Sequence, residues 1–227
     1  MSHKINISIR KNMRNKIIKG AVNYQNHLID KDFMIICKDG KIHNVRFFKK
    51  DFQHLTGLLS DLSEIDFFER CLNGSILVSN ILEDQKYNIS TLRYKTKKIE
   101  IIDKIIYGNT NNSLFMINLH TNTGDFPVAI RNKDISTCIG FRGNGNRAMT
   151  LRKYSNSSNA DEQLEIIAIF GKHSSDKLYS EKVFLKDKEI LLKTRSDVLN
   201  KLTNVLQQDI VNIQSSNSKN VITEKAM

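Results

Sequence analysis

Apolar residues near the start of the chain recur at the spacing of one helical face. Four of them are separated by four, three and four positions: Ile17, Ala21, Tyr24 and Leu28. This period places them on one side of an α-helix over about residues 9–29. The chain therefore begins with a predicted amphipathic helix whose apolar stripe faces a core.

A hairpin and three further helices are predicted next. Asp39-Gly40 separates two strand-like runs, residues 33–37 and 42–48, and such a dipeptide is typical of a tight hairpin turn. The helices are about residues 50–59, a helix capped by Ser63 with Gly74 beyond its end, and about residues 90–107. Their spacing predicts two buried stripes, made of Phe48, Phe52, Leu55 and Leu59 and of Ile65, Phe68 and Leu72.

The pattern changes to short strand-like runs after Gly108. These runs are residues 114–119, 126–130, 136–141, 148–152, 164–170 and 179–185, separated by Gly, Asn, Asp and Ser. The single proline of the chain, Pro127, falls inside one run, and this predicts an edge strand. Strands at this spacing favour a mainly antiparallel sheet.

Helices first and strands second favour the α+β class, with N-terminal helices packed on a mainly antiparallel β-sheet and a C-terminal helix. Residues 1–190 are predicted to form one domain, helical over about 9–107 and sheet-rich over about 113–185. Residues 191–227 are predicted to be a C-terminal helix, over about 195–214, followed by a frayed tail.

The charge balance points to an anionic partner. Lys and Arg total 35 against 24 acidic residues, giving a formal net charge of +11 and a pI near 9.5. Nucleic acid is then a leading candidate. An anionic membrane or an acidic protein would satisfy the same charge, and a lysine-rich solvated surface is the alternative without function.

The cysteines and the apolar segments indicate a cytoplasmic protein. Cys37, Cys71 and Cys138 are odd in number and far apart, so they are expected to be buried and reduced. The sequence has no long apolar run and no secretory leader, and no membrane association is predicted.

No metal and no cofactor is predicted. The six histidines are scattered, and none pairs with His or Cys at a spacing typical of zinc. There is no phosphate-binding Gly-x-x-x-x-Gly-Lys loop, and the glycines at 140, 143 and 145 are interpreted as a turn between strands.

His54 is the strongest candidate for chemistry. It flanks the apolar stripe of its helix, where the imidazole could border a groove, and Thr56 and Gly57 follow it. Histidine titrates near neutral pH and can transfer a proton. The alternative is a partly buried histidine at a helix end, with Gly57 ending the helix.

Two basic clusters could bind phosphates. The denser contains Arg93, Tyr94, Lys95, Lys97 and Lys98, combining cations with an aromatic ring that could stack on a base. A solvated helix face explains it equally well. The second surrounds Thr150 and consists of Arg142, Arg147, Arg152 and Lys153.

The order of these features resembles a known family. The most specific piece is Phe52-Gln53-His54-Leu55-Thr56-Gly57, preceded by the hairpin and followed by Phe67-Phe68-Glu69-Arg70-Cys71-Leu72-Asn73-Gly74 and by Ala148-Met149-Thr150-Leu151. Over about residues 10–185 the chain resembles the fourth type of phage-associated domain in the barnase–EndoU–colicin–RelE-like (BECR) nuclease superfamily. One departure is Ala148 and Thr150, where that family has a proline and a serine.

The resemblance implies an RNase-like fold that cuts RNA without a metal ion, by attack of a ribose 2′-OH on its own phosphate. It implies catalytic roles for four residues: His54 as acid or base, Thr56 and Thr150 positioning the phosphate, and Arg152 as a cation. Residues expected to bind RNA phosphates are Arg93, Lys95, Lys97, Lys98 and Arg147.

The leading hypothesis is a metal-independent endoribonuclease, a phage-related toxin or effector whose partners are RNA and an acidic antitoxin or immunity-like protein. The rivals are a non-catalytic nucleic-acid-binding protein and a factor that binds an acidic partner protein. The oligomeric state is not indicated. In the leading hypothesis, His54 faces a basic cleft and Leu55 faces the core.

Overall fold

The computed structural model describes residues 6–82, 88–122, 124–143, 146–157 and 159–211. The fold is α+β, as predicted. Its helices are α1 (Ile7–His27), α2 (Phe52–Thr56), α3 (Glu64–Leu72), α4 (Ile89–Ile99), α5 (Lys104–Tyr107), α6 (Lys188–Thr194) and α7 (204–211). Its strands are β1 (Lys31–Cys37), β2 (Ile42–Arg46), β3 (Ser113–Leu119), β4 (Phe126–Asn132), β5 (Thr137–Arg142), β6 (Arg147–Lys153), β7 (Ala160–His173) and β8 (Glu181–Leu185).

The sheet closes on itself, which corrects the predicted mainly antiparallel sheet. The strand order is β1-β2-β6-β5-β4-β3-β7-β8, and β1 also pairs with β7, so seven strands form a closed mixed barrel. The contact between β2 and β6 is parallel and passes through Arg46 and Arg147. Closure depends on β7, whose 14 residues pair first with β3 and then with β1. A closed sheet leaves few backbone groups unpaired at an edge.

Pro127 lies in an interior strand, so the predicted edge position is wrong. β4 pairs with β3 on one side and with β5 on the other. The pairing with β3 passes from Ile117–Val128 to Leu119–Phe126 without a paired step at Pro127. Asn118 of β3 lies opposite Pro127 of β4 and has a positive φ of 50°. β3 is therefore irregular at the position where proline has no N–H to donate.

The predicted turn around the glycines begins later than expected. Gly140 lies inside β5, and Gly143, with φ at 77°, starts the turn. Residues 144 and 145 lie outside the described part of the chain. A β-bulge between Gly140 and Phe141 shifts the register of β5 against β6, which is not visible in the sequence pattern.

The main core joins the inner side of the barrel to the N-terminal helices. The predicted α1 stripe is confirmed, since Ile17, Ala21, Tyr24 and Leu28 are all fully buried. The predicted buried stripe of α2 is confirmed only in part. Phe52 and Leu55 are buried, but Leu59 is exposed because Gly57, with φ at 70°, ends the helix at Thr56.

Two other expected core positions are at the surface. Phe48 and Ile65 are 36% and 46% exposed. In α3, Phe67 takes the buried place that Ile65 was expected to have. The helix predicted over 90–107 is two helices, α4 and α5.

The C-terminal region is also more broken than predicted. In place of one helix over about 195–214 the chain forms α6, a 3-10 turn at Ser196–Lys201, and α7. Their apolar residues cover the outer face of β1 and β7 in a separate cluster. The predicted frayed tail lies outside the described residues.

The cysteines are all buried and free, as expected. Burial raises the pKa of the Cys37 and Cys71 thiols to about 12. None of the described helices has the length and apolar character needed to cross a membrane.

The first and fourth helices touch at a glycine. A Cβ on Gly20 would lie 2.7 Å from Ile99 Cγ2 and 3.0 Å from the Ile99 carbonyl oxygen. Real Cβ atoms essentially never come as close as 2.7 Å to another atom, and the 3.0 Å contact with the carbonyl is also tight. A larger residue at position 20 would therefore force Ile99 or the two helices to shift.

Gly20→Ala is therefore expected to destabilise the protein. Overpacking typically lowers the free energy of unfolding by about 1–3 kcal/mol. The better helix propensity of alanine offsets up to ~1 kcal/mol of that loss. We expect a net loss of about 1 kcal/mol in the free energy of unfolding, measured by urea denaturation. Asn15→Ala, at an exposed position of the same helix, is the control and should change it by less than about 0.5 kcal/mol. A Gly20→Ala variant as stable as the parent would contradict the close-packing argument.

Candidate active site

The short helix α2 presents His54 to solvent. Phe52 and Leu55 anchor the helix in the core, and the N–H of Gly57 closes it by donating to the carbonyls of Gln53 and His54. His54 is consequently about half exposed, and its Nε2 lies 2.8 Å from Oε1 of Glu64 at the start of α3. Leu55 is fully buried, as predicted.

Thr56 is buried and forms local hydrogen bonds. Its hydroxyl donates to the Gln53 carbonyl at 2.7 Å and accepts from the Leu58 N–H at 3.1 Å. These bonds hold the end of α2. The phosphate-positioning role expected of Thr56 stays a prediction.

A buried ion pair joins this helical region to the barrel. Asp51 immediately precedes α2 and is fully buried, and its Oδ1 accepts from Nε of Arg147 at 3.1 Å and from Nη2. Arg147 is the first residue of β6. The hydrogen bond that Arg147 donates to Asp51 is the main reason why the pKa of Arg147 is raised, and the charges of Asp51 and Glu64 add to it. Glu64 thus contacts His54 and acts on Arg147 through its charge.

Tyr24 and Phe48 complete the surroundings of this pair. Burial, followed by the charge of Asp51, raises the pKa of Tyr24 well above its ordinary value, so its hydroxyl stays protonated and donates to the Phe48 carbonyl at 3.2 Å. The ring of Phe48 is partly exposed, and the Arg147 guanidinium carbon lies 5.6 Å from its centroid. An aromatic ring and a fixed cation are therefore neighbours at the surface.

A small pocket opens beside Phe48. It has a volume of about 270 Å³, and Ile65 forms another part of its wall. The basic residues in its wall are Lys31, Arg46, Lys49 and Lys50. Three of them are paired: Lys31 with Glu181 at 3.1 Å, Arg46 with Asp32 at 2.6 Å and Lys49 with Glu69 at 2.8 Å. Asp30 and Asp32 also line the pocket. We call it the Phe48 pocket.

The basic run of α4 divides between two surroundings. Arg93, Tyr94 and Lys97 line a groove between α1 and α4, the α1–α4 groove. Lys95 is buried on the other side of the helix, where a Cβ on Gly57 would lie 2.6 Å from its Cδ. Lys98 lies with Nζ 5.8 Å from the Tyr94 ring centroid. The run is therefore not a uniformly solvated face.

Thr150 and Arg152 lie on the other side of the barrel wall from α2. Leu151 belongs to the main core, as Leu55 does. Alternation along β6 turns its neighbours outward: a Cβ on Gly140 would meet the Thr150 methyl at 3.0 Å and the Phe126 ring at 2.7 Å. The Arg152 guanidinium lies 5.6 Å from the same ring. The structure thus brings Arg147 and Glu64 to the His54 region and does not bring Thr150 or Arg152 there.

A comparison with protein families decides what kind of protein this is. The model of phage-Barnase-EndoU-ColicinE5/D-RelE like nuclease 4, PBECR4, matches residues 16–189. The chain belongs to the PBECR4 family. The predicted resemblance is confirmed, and with it a nuclease-type function and a nucleic-acid substrate. No curated protein and no solved structure matches the chain.

The sequence pattern of this PBECR4 protein did not identify all the residues of the site. Asp51, Glu64 and the exposed ring of Phe48 were missed. The available signal was the position of Asp51 directly after Lys49 and Lys50, since an acidic residue inside a basic stretch is a candidate ion-pair partner. The described residues contain no group of three His, Cys, Asp or Glu side chains that could hold a metal ion.

Breaking the buried pair is expected to destabilise the PBECR4 fold. Arg147→Ala leaves the carboxylate of Asp51 buried without its cation, which should lower the free energy of unfolding by about 3 kcal/mol. The double variant Asp51→Leu/Arg147→Met removes both charges and should recover most of that loss. Urea denaturation followed by circular dichroism measures both.

The control is Arg70→Ala, which removes an exposed arginine and should change stability by less than about 0.5 kcal/mol. A double variant as unstable as Arg147→Ala would show that packing, and not the unpaired charge, causes the loss.

Proposed function

We propose that this PBECR4 protein is a metal-independent endoribonuclease whose active site is built around His54. The observation that carries the proposal is the line of charges at the surface end of α2. An exposed histidine contacts Glu64, and Glu64 interacts with a guanidinium that a buried carboxylate holds in place. The nuclease family of the chain supports the same reading.

His54 acts as the general base. Its Nε2 lies 2.8 Å from Glu64, so the Nε2–H donates to the carboxylate and Nδ1 becomes the acceptor. Nδ1 takes the proton of a ribose 2′-OH. The freed oxygen attacks the adjacent phosphorus, and the bond from phosphorus to the 5′-oxygen breaks as that oxygen takes a proton from a water molecule. The products are a 2′,3′-cyclic phosphate and a 5′-hydroxyl end.

Arg147 supplies the cation for the extra negative charge on phosphorus. A guanidinium can donate to two phosphate oxygens at once. Its anchor, Asp51, is fixed by burial, so the donor needs little reorganisation when charge develops. About a quarter of the Arg147 side chain remains exposed, with 28% of its surface open, which leaves it accessible to a substrate.

The Phe48 pocket takes a base next to the scissile phosphate. An exposed aromatic ring stacks on any base, and unpaired RNA offers its bases for this contact. Lys50 is exposed and forms no ion pair with a described carboxylate, so it can neutralise a neighbouring phosphate, whereas Lys31, Arg46 and Lys49 are already paired. Lys95, although basic, is buried against Gly57, and its positive charge also favours the end of α2.

A non-catalytic nucleic-acid-binding protein is the second candidate. The α1–α4 groove favours it, because His54 does not belong to the wall of that groove and the basic surface there could bind nucleic acid without cutting it. A toxin or effector role with an acidic antitoxin is a further proposal, motivated by the phage-associated family and the formal charge of +11.

The test is RNA cleavage in EDTA. We expect the parent protein to cut single-stranded RNA to products with a cyclic phosphate end. His54→Ala should lower the rate by about 10²–10⁴-fold, the usual contribution of a general base. Glu64→Gln should lower it less and change the pH profile, because Glu64 positions His54 and does not touch the substrate.

His173→Ala is the control, since His173 is exposed and, within the described residues, its side chain bonds Ser175. It should leave the rate unchanged. Full activity in His54→Ala would remove His54 from the mechanism, and loss of the parent activity in EDTA would overturn metal independence. RNA binding without any product would favour the non-catalytic candidate.

A further inference from the structure

The α1–α4 groove lies between two helices that begin at its mouth. It has a volume of about 600 Å³, within the range of about 300–1,000 Å³ common for ligand sites. Ser8, in the first turn of α1, and Ser90, in the first turn of α4, are both in its wall. Farther along, the two helices touch at Gly20 and Ile99. Two parallel helix N-termini therefore flank one opening.

The groove is positively charged without local compensation. Its cations are Lys16, Arg93, Lys97 and Lys153, and its wall contains no acidic residue. None of the four forms an ion pair with a carboxylate of the described residues. This contrasts with Arg46 and Arg147, which are both paired with a buried aspartate.

The helix ends add to this charge. The first turns of α1 and α4 contain no acidic residue, whereas the first turn of α3 contains Glu64 and Asp66. A helix N-terminus carries partial positive charge and favours anions. Each N-terminus has a neutral cap, since Asn6 accepts from the Ser8 N–H and Asn88 from the Thr91 N–H. No carboxylate in either first turn cancels the remaining partial charge, which adds to that of the four cationic side chains.

Tyr94 forms a fixed wall of the groove and not a stacking platform. Its hydroxyl oxygen lies 2.6 Å from the Ser136 carbonyl and 2.9 Å from the Arg152 carbonyl, and the single O–H can donate to either of them. Burial raises its pKa to about 12, so it stays protonated. The ammonium groups of Lys98 and Lys153 each lie 5.8 Å from its ring centroid. The ring holds cations in place, so the groove suits phosphates better than bases.

We infer that the α1–α4 groove binds the sugar–phosphate backbone of single-stranded nucleic acid, at a site separate from His54. A groove of about 600 Å³ between two helices suits one strand better than the wider duplex. The cations neutralise phosphates, and Ser8, Asn12 and Ser90 offer hydroxyl and amide groups to the oxygens. As part of the proposed function, the groove holds the strand that flanks the cleavage site.

The test uses a labelled 12-nucleotide single-stranded DNA and the full chain. DNA lacks the 2′-OH, so the proposed reaction cannot cut it, and fluorescence anisotropy reports binding alone. Lys16→Ala/Lys97→Ala should weaken binding about tenfold or more at moderate salt. It should also reduce the slope of log affinity against log salt by about 1.4, because each phosphate contact to a single strand contributes about 0.7.

The matched control is Lys11→Ala/Lys133→Ala, which removes two exposed lysines outside the groove and should keep the parent slope. Equal losses in both double variants, or an unchanged slope in the groove variant, would overturn the inference. So would a 12-base-pair duplex that competes as well as the single strand. If the groove substitutions weaken binding of an acidic polyglutamate peptide but not binding of DNA, the groove would be assigned to an acidic protein instead.

The two proposals fail separately. His54→Ala should bind the DNA as tightly as the parent protein. A parent protein that binds DNA through the groove and does not cleave RNA would overturn the nuclease mechanism and leave the groove inference standing. If RNA cleavage requires His54 but DNA binding is unchanged in Lys16→Ala/Lys97→Ala, the groove inference would be overturned and the nuclease mechanism would stand.

Discussion

The buried pair between Asp51 and Arg147 is the contact on which the arrangement of the site depends. Asp51 lies just before α2, and Arg147 begins β6, so one ion pair joins the helical half of the chain to the barrel wall. An unpaired carboxylate in such a position is very costly, and the cost enforces this one arrangement. It also holds Arg147 close enough for the charge of Glu64, the carboxylate that contacts His54, to act on it. The geometry of the surface site therefore follows from an interaction beneath it.

The local parts of this arrangement could be predicted from the sequence. The periodicity of α1 and the pair of Phe52 and Leu55 identify buried faces, and Gly57 marks where α2 ends. These signals lie within a few residues of one another, and local backbone physics is enough to interpret them. The same physics makes His54 a flank residue and leaves it exposed.

The rest depends on partners that are distant in the chain. The residues of the buried pair are 96 positions apart, and barrel closure pairs β1 with β7. No local spacing indicates such contacts. The outward direction of Thr150 depends on a register set by the bulge at Gly140 and Phe141, and Pro127 is tolerated inside the sheet because Asn118 is irregular opposite it. Ion pairing also depends on distant partners. Composition gives the total charge of +11 but does not show which cations are paired with carboxylates.

The closure of the barrel by β7 has a consequence for how the protein is made. β1 is synthesised early, yet its partner ends at His173, so the wall cannot close until most of the chain has left the ribosome. Contacts this distant in sequence slow folding. A chain that leaves the ribosome from its N-terminus can complete this core only after β7 has been synthesised. A nascent chain that contains Asp51 cannot yet pair it with Arg147, which follows 96 positions later. The contact that joins the helical region to the barrel therefore forms only after β6 has been made, and the wall closes around it only after β7.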